Sequence, residues 1–291
     1  MRPGPPGLFD GTPPVPTTTG TGVVVREVRC RSVLNRGTLG DYSFNCYTGC
    51  TNACAYCYAR YMQRFHPHAE PWGRFVDVKV NAVEVLRRQL RRLPAGSVFS
   101  CSACDGWQTV EQEYRLTRRC CERLIAMGFR LNILTKSESV LRDLDVLTAG
   151  DVTLGVTLTT PDEDTARLWE PGASSVAARV EVLRRAKAAG LRTAVMFGPL
   201  LPGISDAPAV LDRLFALAGE VGVDRISTDA LNPRSGVWSS VRMLLAVHRP
   251  DLIGHYRRVL FERNYRRMYR ADLHRRVRRA ARHAGLRSRL R

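Results

Sequence analysis

Between residues 42 and 247 the sequence alternates short β-branched or aromatic runs with longer amphipathic segments, and nothing else in it restricts the fold as tightly. Runs at 42–46, 97–101, 130–134, 152–158, 191–197 and 223–227 read as strands, the fourth by its Val/Thr alternation. Segments at 81–93, 110–127, 138–147, 174–189, 207–218 and 239–247 read as helices. In the first, Val83, Leu86, Leu90 and Leu93 form one stripe, and Gly128, Gly150 and Gly190 follow the ends of later ones. Strict alternation requires right-handed parallel crossovers. Six such units are too few for a closed eight-fold barrel. They suit a partial barrel or an open α/β sheet, and in both the chemistry gathers at the C-terminal ends of the strands. Apart from the alternating units, the sequence shows no internal repeat.

Three regions are expected. Residues 1–22 contain eleven Gly or Pro and a Thr run at 17–19, which reads as a disordered leader. Residues 23–248 form the α/β domain, and 249–291 a basic helical extension. The longest uncharged apolar stretch, 193–205, is short and broken by Gly198, Pro199, Pro202 and Gly203. It cannot span a bilayer, and the N-terminus has no signal-peptide core, so a cytoplasmic protein without membrane contact is expected.

Nine cysteines in 291 residues are an odd number in a large chain, which favours metal binding over a disulfide scaffold. Four of them, Cys46, Cys50, Cys54 and Cys57, fall in the stretch NCYTGCTNACAYCYAR at 45–60. The spacing Cys50-x3-Cys54-x2-Cys57 would arise by chance on the order of 0.01 times in such a chain. Three thiolates on one tight loop would hold three irons of a four-iron cube and leave the fourth open to a ligand. Gly49 would let the backbone turn closely around it. The competing reading is structural zinc, with Cys46 as the fourth thiolate, although such sites usually split into two separated ligand pairs.

This stretch resembles the radical S-adenosylmethionine superfamily, whose motif is Cys-x3-Cys-x2-Cys with an aromatic residue, here Tyr56, before the third Cys. The sequence is further similar to the spore photoproduct lyase-like, or DNA repair photolyase-like, branch. Its motifs are matched by the 45–60 stretch, by CDGWQTVE at 104–111, LTR at 116–118, Thr135–Lys136–Ser137 and Arg142 to Leu147. Thr160 with Glu170–Pro171–Gly172–Ala173, and Pro199 to Gly203, complete the set. The likeness covers about 30–230. Two places depart from the branch pattern: Cys46 stands for a Pro, and Trp107-Gln108-Thr109 for Tyr-Gln-Pro.

The resemblance implies a partial (βα)6 barrel of the radical S-adenosylmethionine kind. It implies a [4Fe-4S] cluster on Cys50, Cys54 and Cys57, with S-adenosylmethionine at the unique iron. It also implies a flavodoxin- or ferredoxin-like electron donor, and a 5′-deoxyadenosyl radical that takes a hydrogen atom from substrate. Tyr56, Asp105, Lys136 and Thr157 are then candidate cofactor-binding residues. Lys136 stands just past the third strand, in a chain with only three lysines, and would pair with the cofactor carboxylate. Asp105 would bond the cofactor or its ribose, or would cap a helix. Cys101 and Cys104, at the end of the second strand, are candidate hydrogen-atom donors to a product radical, with Tyr56 or Tyr58 as relay; the plain alternative is a small buried thiol. Cys30, Cys120 and Cys121 read as structural, and His66 and His68 as surface residues.

The formal net charge is +18, yet 16 Arg against Asp251, Glu262 and Asp272 give the last 51 residues 16 − 3 = +13 of it. A basic extension suggests DNA or another nucleic acid as partner. Tyr256, Tyr265 and Tyr269 would stack on bases. Alternatively Tyr256, Val259, Phe261, Tyr265 and Met268 are the apolar stripe of a packing helix. Part of the arginine excess reflects coding bias, since 42 of 45 basic residues are Arg. Three functions therefore stand open: a radical enzyme on nucleic acid, the same chemistry on a protein, RNA or small molecule, and a non-catalytic zinc-stabilised nucleic-acid-binding protein.

Overall fold

A computed structural model describes residues 15–18, 22–100, 102–234 and 236–291. Eleven strands occur among them: β1 (Val15–Thr18), β2 (Val24–Val28), β3 (Leu34–Arg36), β4 (Tyr42–Phe44), β5 (Tyr47–Thr48), β6 (Phe75–Lys79), β7 (Ser97–Ser100), β8 (Arg130–Thr135), β9 (Val152–Leu158), β10 (Arg192–Leu200) and β11 (Arg225–Ala230). The main sheet has the order β11-β10-β9-β8-β7-β4-β3. From β4 to β11 every neighbouring pair is parallel, β7 to β11 follow in chain order, β4 pairs with β7 across the intervening β5 and β6, and β3 joins the edge antiparallel. The six strands expected from the sequence are thus all present, side by side and pointing the same way. Their shared direction puts the residues after β4, β7, β8 and β9 at one end of the sheet. Thr135 lies beside Val156, and Thr157 beside Met196, so the β8 and β9 ends are level.

A second sheet, β1-β2-β6-β5, was not foreseen. The reason is visible in β6, whose sequence FVDVK carries Asp77 and Lys79 yet is buried at all five positions. Charged residues in a short run read as surface; here they face other polar groups. His68, expected at the surface, is one of them. Its Nε2 lies 3.0 Å from Asp77 Oδ2, and its ring stacks on Phe75 at 3.7 Å. β1 lies inside the stretch expected to be a disordered leader and pairs antiparallel with β2. Residues 1–14 and 19–21 are outside the described residues.

Helix expectations held in outline. The segment at 110–127 is two helices, Glu111–Tyr114 and Leu116–Ala126, parted by Arg115 in the left-handed region at φ 50°. The 138–147 segment starts as a 3-10 turn, Glu138–Asp143, before Leu144–Leu147. A short helix at Glu163–Trp169 escaped notice because it fits between β9 and the next helix.

The basic extension consists of two helices, Ile253–Phe261 and Arg263–His283, and is packed rather than loose. The second buries Tyr269, Leu273, Val277, Ala280 and Ala281 and lies against helix Pro208–Val221. Buried Asp206 accepts a bond from Tyr269 Oη at 2.9 Å and pairs with Arg276 at 3.2 Å. Arg266 bonds the carbonyls of Val259 and Leu260, closing the preceding helix. The apolar stripe differs from the expected one: Tyr256 and Val259 are buried, but Phe261 and Met268 are exposed. At the very end Leu290 bridges to Ile226, so the terminus shields the β11 edge. Replacing Leu273 with Ala is therefore expected to lower the unfolding free energy by about 2–5 kcal/mol, read from urea denaturation, whereas a free tail would show no change.

Candidate active site: the cysteine loop at the strand ends

The cysteine loop follows β4 and β5 and has almost no regular structure of its own. Gly49 stands at φ +87°, and a Cβ there would come within 2.4 Å of the Phe75 carbonyl. Ala53 is also left-handed, at φ 52°, and packs where Gly73 has no side chain. Such turns persist only when the surroundings hold them. Two backbone bonds tie the loop to the segment after helix Glu163–Trp169: Ala55 N to Trp169 O at 2.9 Å, and Gly172 N to Asn52 O at 3.2 Å. Gly172 lies so close that a Cβ would fall 2.0 Å from the Thr51 carbonyl. From the other side Gln108 accepts from Thr51 N at 2.9 Å and donates to Gly49 O at 3.3 Å.

Asp105 forms a third tie. Its carboxylate accepts from Asn52 Nδ2 at 3.1 Å, Trp107 N at 3.0 Å, Thr135 Oγ1 at 2.7 Å and Lys136 N at 2.7 Å. Four protein donors use the acceptor capacity of one carboxylate. Asp105 therefore links the cysteine loop to the β7 and β8 ends, and it sets the path of the backbone at Lys136. Lys136 projects over the loop, its Nζ 5.8 Å from the centre of the Tyr56 ring. Tyr56 stacks on Trp169, which stacks in turn on Tyr256 of the extension, with centroids 6.4 and 6.2 Å apart. The Tyr56 hydroxyl donates to Glu170 and lies 3.0 Å from Thr159 Oγ1.

Glu170 belongs to the branch motif at 170–173, where its role is not legible from sequence alone. It is wholly buried, accepts from Thr159 Oγ1 at 2.6 Å, and pairs with buried Arg179 at 2.6 Å. Burial opposes its ionisation, but Arg179 and Lys136 hold its carboxyl below the ordinary range. Arg179 also donates to Thr157 O at 2.8 Å, which ties Thr157 to the same group. Thr159, Asn52 and Gln108 were missed outright. Each is an ordinary polar residue whose part appears only once strand ends are brought together.

Cys50 and Cys54 are buried and Cys57 half-buried on this loop. Burial pushes the Cys50 thiol well up, helped by the Asp105 charge. Cys54 is pushed up to about 12 by burial, with Lys136 opposing. Cys57 is raised by burial too. A metal that binds here must displace those protons, so iron uptake is expected to improve as pH rises from 6.5 to 8.5, at about three protons released per chain.

The donor set fits an iron–sulfur cube. Cys50, Cys54 and Cys57 lie on one short loop and offer three thiols, one for each of three irons of a cube. Cys46 does not complete a four-thiolate set. It is buried with its Sγ 3.6 Å from Cys120 Sγ. Trp107, the other departure from the branch pattern, is fully buried and donates to Asp143 Oδ2 at 2.8 Å. Cys46 and Trp107 are thus core residues, while Thr109 is exposed.

Cys104 lies at the end of β7, buried, with its Sγ 3.6 Å from Asn45 Oδ1. Tyr58 is partly exposed and donates to the Ser102 carbonyl, so it reaches the same loop. Cys101 is outside the described residues. Replacing Gly172 with Ala is expected to push the loop off its support and lower iron content per chain after anaerobic reconstitution, while far-ultraviolet circular dichroism stays as in the wild type.

The profile of the Radical SAM superfamily matches residues 44–215. An uncharacterized protein of Mycobacterium tuberculosis is 32% identical over 252 residues, covering 81% of this chain and 73% of its own. An uncharacterized protein of Methanocaldococcus jannaschii is 28% identical over 171 residues, covering 58% of this chain and 64% of its own. Among solved structures, spore photoproduct lyase complexed with dinucleoside spore photoproduct superposes with a TM-score of 0.62 at 15% identity, over 82% of this chain and 80% of that one. A substituted spore photoproduct lyase reaches a TM-score of 0.67 at 15% identity, over 90% of this chain and 79% of that one. No helix among the described residues is long and apolar enough to cross a membrane. The chain belongs to the radical SAM superfamily: it is an enzyme of radical chemistry that uses a [4Fe-4S] cluster and S-adenosylmethionine.

Proposed function

We propose that Cys50, Cys54 and Cys57 hold the cluster, that the six parallel strands curve into a partial barrel around it, and that the substrate is nucleic acid carrying a lesion. When bound, the cluster and S-adenosylmethionine supply one-electron cleavage of the sulfonium and a 5′-deoxyadenosyl radical. The protein's part is to orient the reactants and exclude water. One observation carries the reading: three thiols share a loop clamped at the C-terminal end of a parallel sheet, with the Lys136 ammonium above it. Lys136 offers the carboxylate of S-adenosylmethionine a positive charge. Tyr56 offers a flat face, and Thr157, near the β9 end and held through its carbonyl by Arg179, completes the proposed cofactor set.

Cys104 would then give a hydrogen atom from its thiol to the carbon radical left on the substrate, becoming a thiyl; Tyr58 would return a hydrogen atom to that sulfur, and the flavodoxin- or ferredoxin-like donor would supply one electron, with a proton from water, to the Tyr58 phenoxyl. What supports this is a shared neighbourhood: Tyr58 donates to the Ser102 carbonyl, and the Cys104 thiol bonds Asn45, which also bonds Ser102 and Ala103. Cys101 has the same proposed role from sequence position alone.

Nucleic acid as substrate is supported by the exposed arginines of the second extension helix, Arg263, Arg267, Arg270, Arg278, Arg279 and Arg282. Tyrosine stacking on bases is not supported. Tyr256 and Tyr269 are buried, and Tyr265 is held by His255 at 3.0 Å and covered by Arg258 at 3.8 Å. The arginines would neutralise backbone phosphates, and a duplex lesion would be flipped out to reach the strand ends.

Reduced, reconstituted protein incubated with S-adenosylmethionine is expected to form 5′-deoxyadenosine, more of it with ultraviolet-damaged DNA; Cys50→Ala, Cys54→Ala or Cys57→Ala should each abolish it. Product from any of these variants would overturn the reading. Changing Arg263, Arg267 and Arg270 together to Gln should weaken DNA binding and flatten its salt dependence, by about one unit of log–log slope per lost phosphate contact.

A further inference from the structure

The motif Glu170–Pro171–Gly172–Ala173 is not accounted for by cluster ligation or by substrate contact. Its carboxylate is wholly buried, and burying a charge is costly unless it is paired and hydrogen-bonded. Its carboxylate accepts from Tyr56 of the cysteine loop and Thr159 just past β9 on one oxygen, and from Arg179 of the helix Val176–Ala188 on the other. Glu170 therefore holds Tyr56, the aromatic side chain between Cys54 and Cys57. The residues around it hold the same loop by its backbone, through Trp169 O and Gly172 N, and Ser174 N bonds the Lys136 carbonyl at 3.0 Å. One short segment thus touches the cysteine loop and the lysine that overhangs it.

We propose that Glu170 is a positioning residue for S-adenosylmethionine. It fixes the Tyr56 ring through the phenol, so that the ring and the Lys136 ammonium above it present a preformed face to the cofactor. Thr159 braces the arrangement, donating to Glu170 and lying 3.1 Å from the Gly198 carbonyl of β10. The Trp169 and Tyr256 rings behind Tyr56 limit its tilt, but stacking leaves sliding and rotation in the ring plane free; the hydrogen bond removes that freedom. A group fixed beforehand binds its ligand without ordering cost, and this is the gain expected here. Arg179 keeps the carboxylate ionised and joins it to the β9 strand through Thr157 O. The inference rests on the proposed function, since it names a residue that serves that same cofactor site.

The test uses cluster-loaded full-length protein, with S-adenosylmethionine binding measured by equilibrium dialysis and the electron paramagnetic resonance spectrum of the reduced cluster recorded with and without it. Tyr56→Phe removes the phenol and leaves the Glu170–Arg179 pair intact. Glu170→Leu with Arg179→Met replaces the buried pair by apolar groups of similar size, a change that buried ion pairs often tolerate. Both are expected to keep wild-type iron content and to weaken S-adenosylmethionine binding about tenfold. The variant with all three changes should bind no worse than the weaker of the two, because both remove one tether. Wild-type affinity in Tyr56→Phe would overturn the inference, even if the pair replacement failed to fold. So would multiplying effects in the combined variant. A wild-type protein that takes up iron but binds no S-adenosylmethionine would refute the proposed function, and the inference with it. Wild-type binding that both variants retain would refute the inference alone.

Discussion

The structure depends on holding a strained loop in place from outside. The loop at 49–57 has left-handed residues at Gly49 and Ala53 and little hydrogen bonding within itself. Its shape is imposed by Asp105 and Gln108 on one flank and by the Trp169 to Gly172 segment on the other. Each contact is one hydrogen bond, worth about 1 kcal/mol net. Several acting together on buried groups specify a single arrangement, because leaving any one unmade costs more than making it gains. Three thiols that meet different corners of one cluster, as proposed for Cys50, Cys54 and Cys57, need that kind of restraint.

The parallel sheet supplies the geometry for it. Residues far apart in sequence meet because the parallel strands turn their C-terminal ends to one side of the sheet: Asp105 after β7, Thr135 and Lys136 at β8, Thr157 and Thr159 at β9, with Asn52 on the loop after β5 brought to them. The motifs that mark the branch are largely this support. Thr117 bonds the Gly106 carbonyl at 2.9 Å. Arg118 and Arg142 meet Asp143, which holds the Trp107 indole. These polar groups form a buried lattice behind the loop. The extension joins it through Tyr256, so the basic helices also complete the wall behind the cysteines.

Much of this was readable in advance where one rule governs. The six strands followed from alternation and apolar patterning, and the family with its iron–sulfur cofactor followed from a cysteine spacing that few other chemistries use. Lys136 stood out because lysine is rare in this chain. What was not readable depends on contacts distant in sequence. Asp105 has the look of a ligand at a strand end, and only the four donors around it show it to be a strut. Cys46 sits in sequence beside the other three cysteines, yet β4 and β5 carry it away to Cys120. β6 hides as surface because its buried face is charged. In the extension the tyrosines and arginines spell a nucleic-acid binder, but half of that pattern is spent on packing: Tyr269 and Arg276 fasten the helix to Asp206, and Arg266 closes its neighbour.

The central claim is that three cysteines bind a four-iron cluster and leave one iron for S-adenosylmethionine. Mössbauer spectroscopy of protein reconstituted with iron-57 tests it most directly, comparing spectra before and after adding S-adenosylmethionine. The account predicts four irons per chain, with the signal of one quarter of them moving on addition while the rest stay. A spectrum without a four-iron cluster, or one in which all four irons remain unchanged, would contradict it.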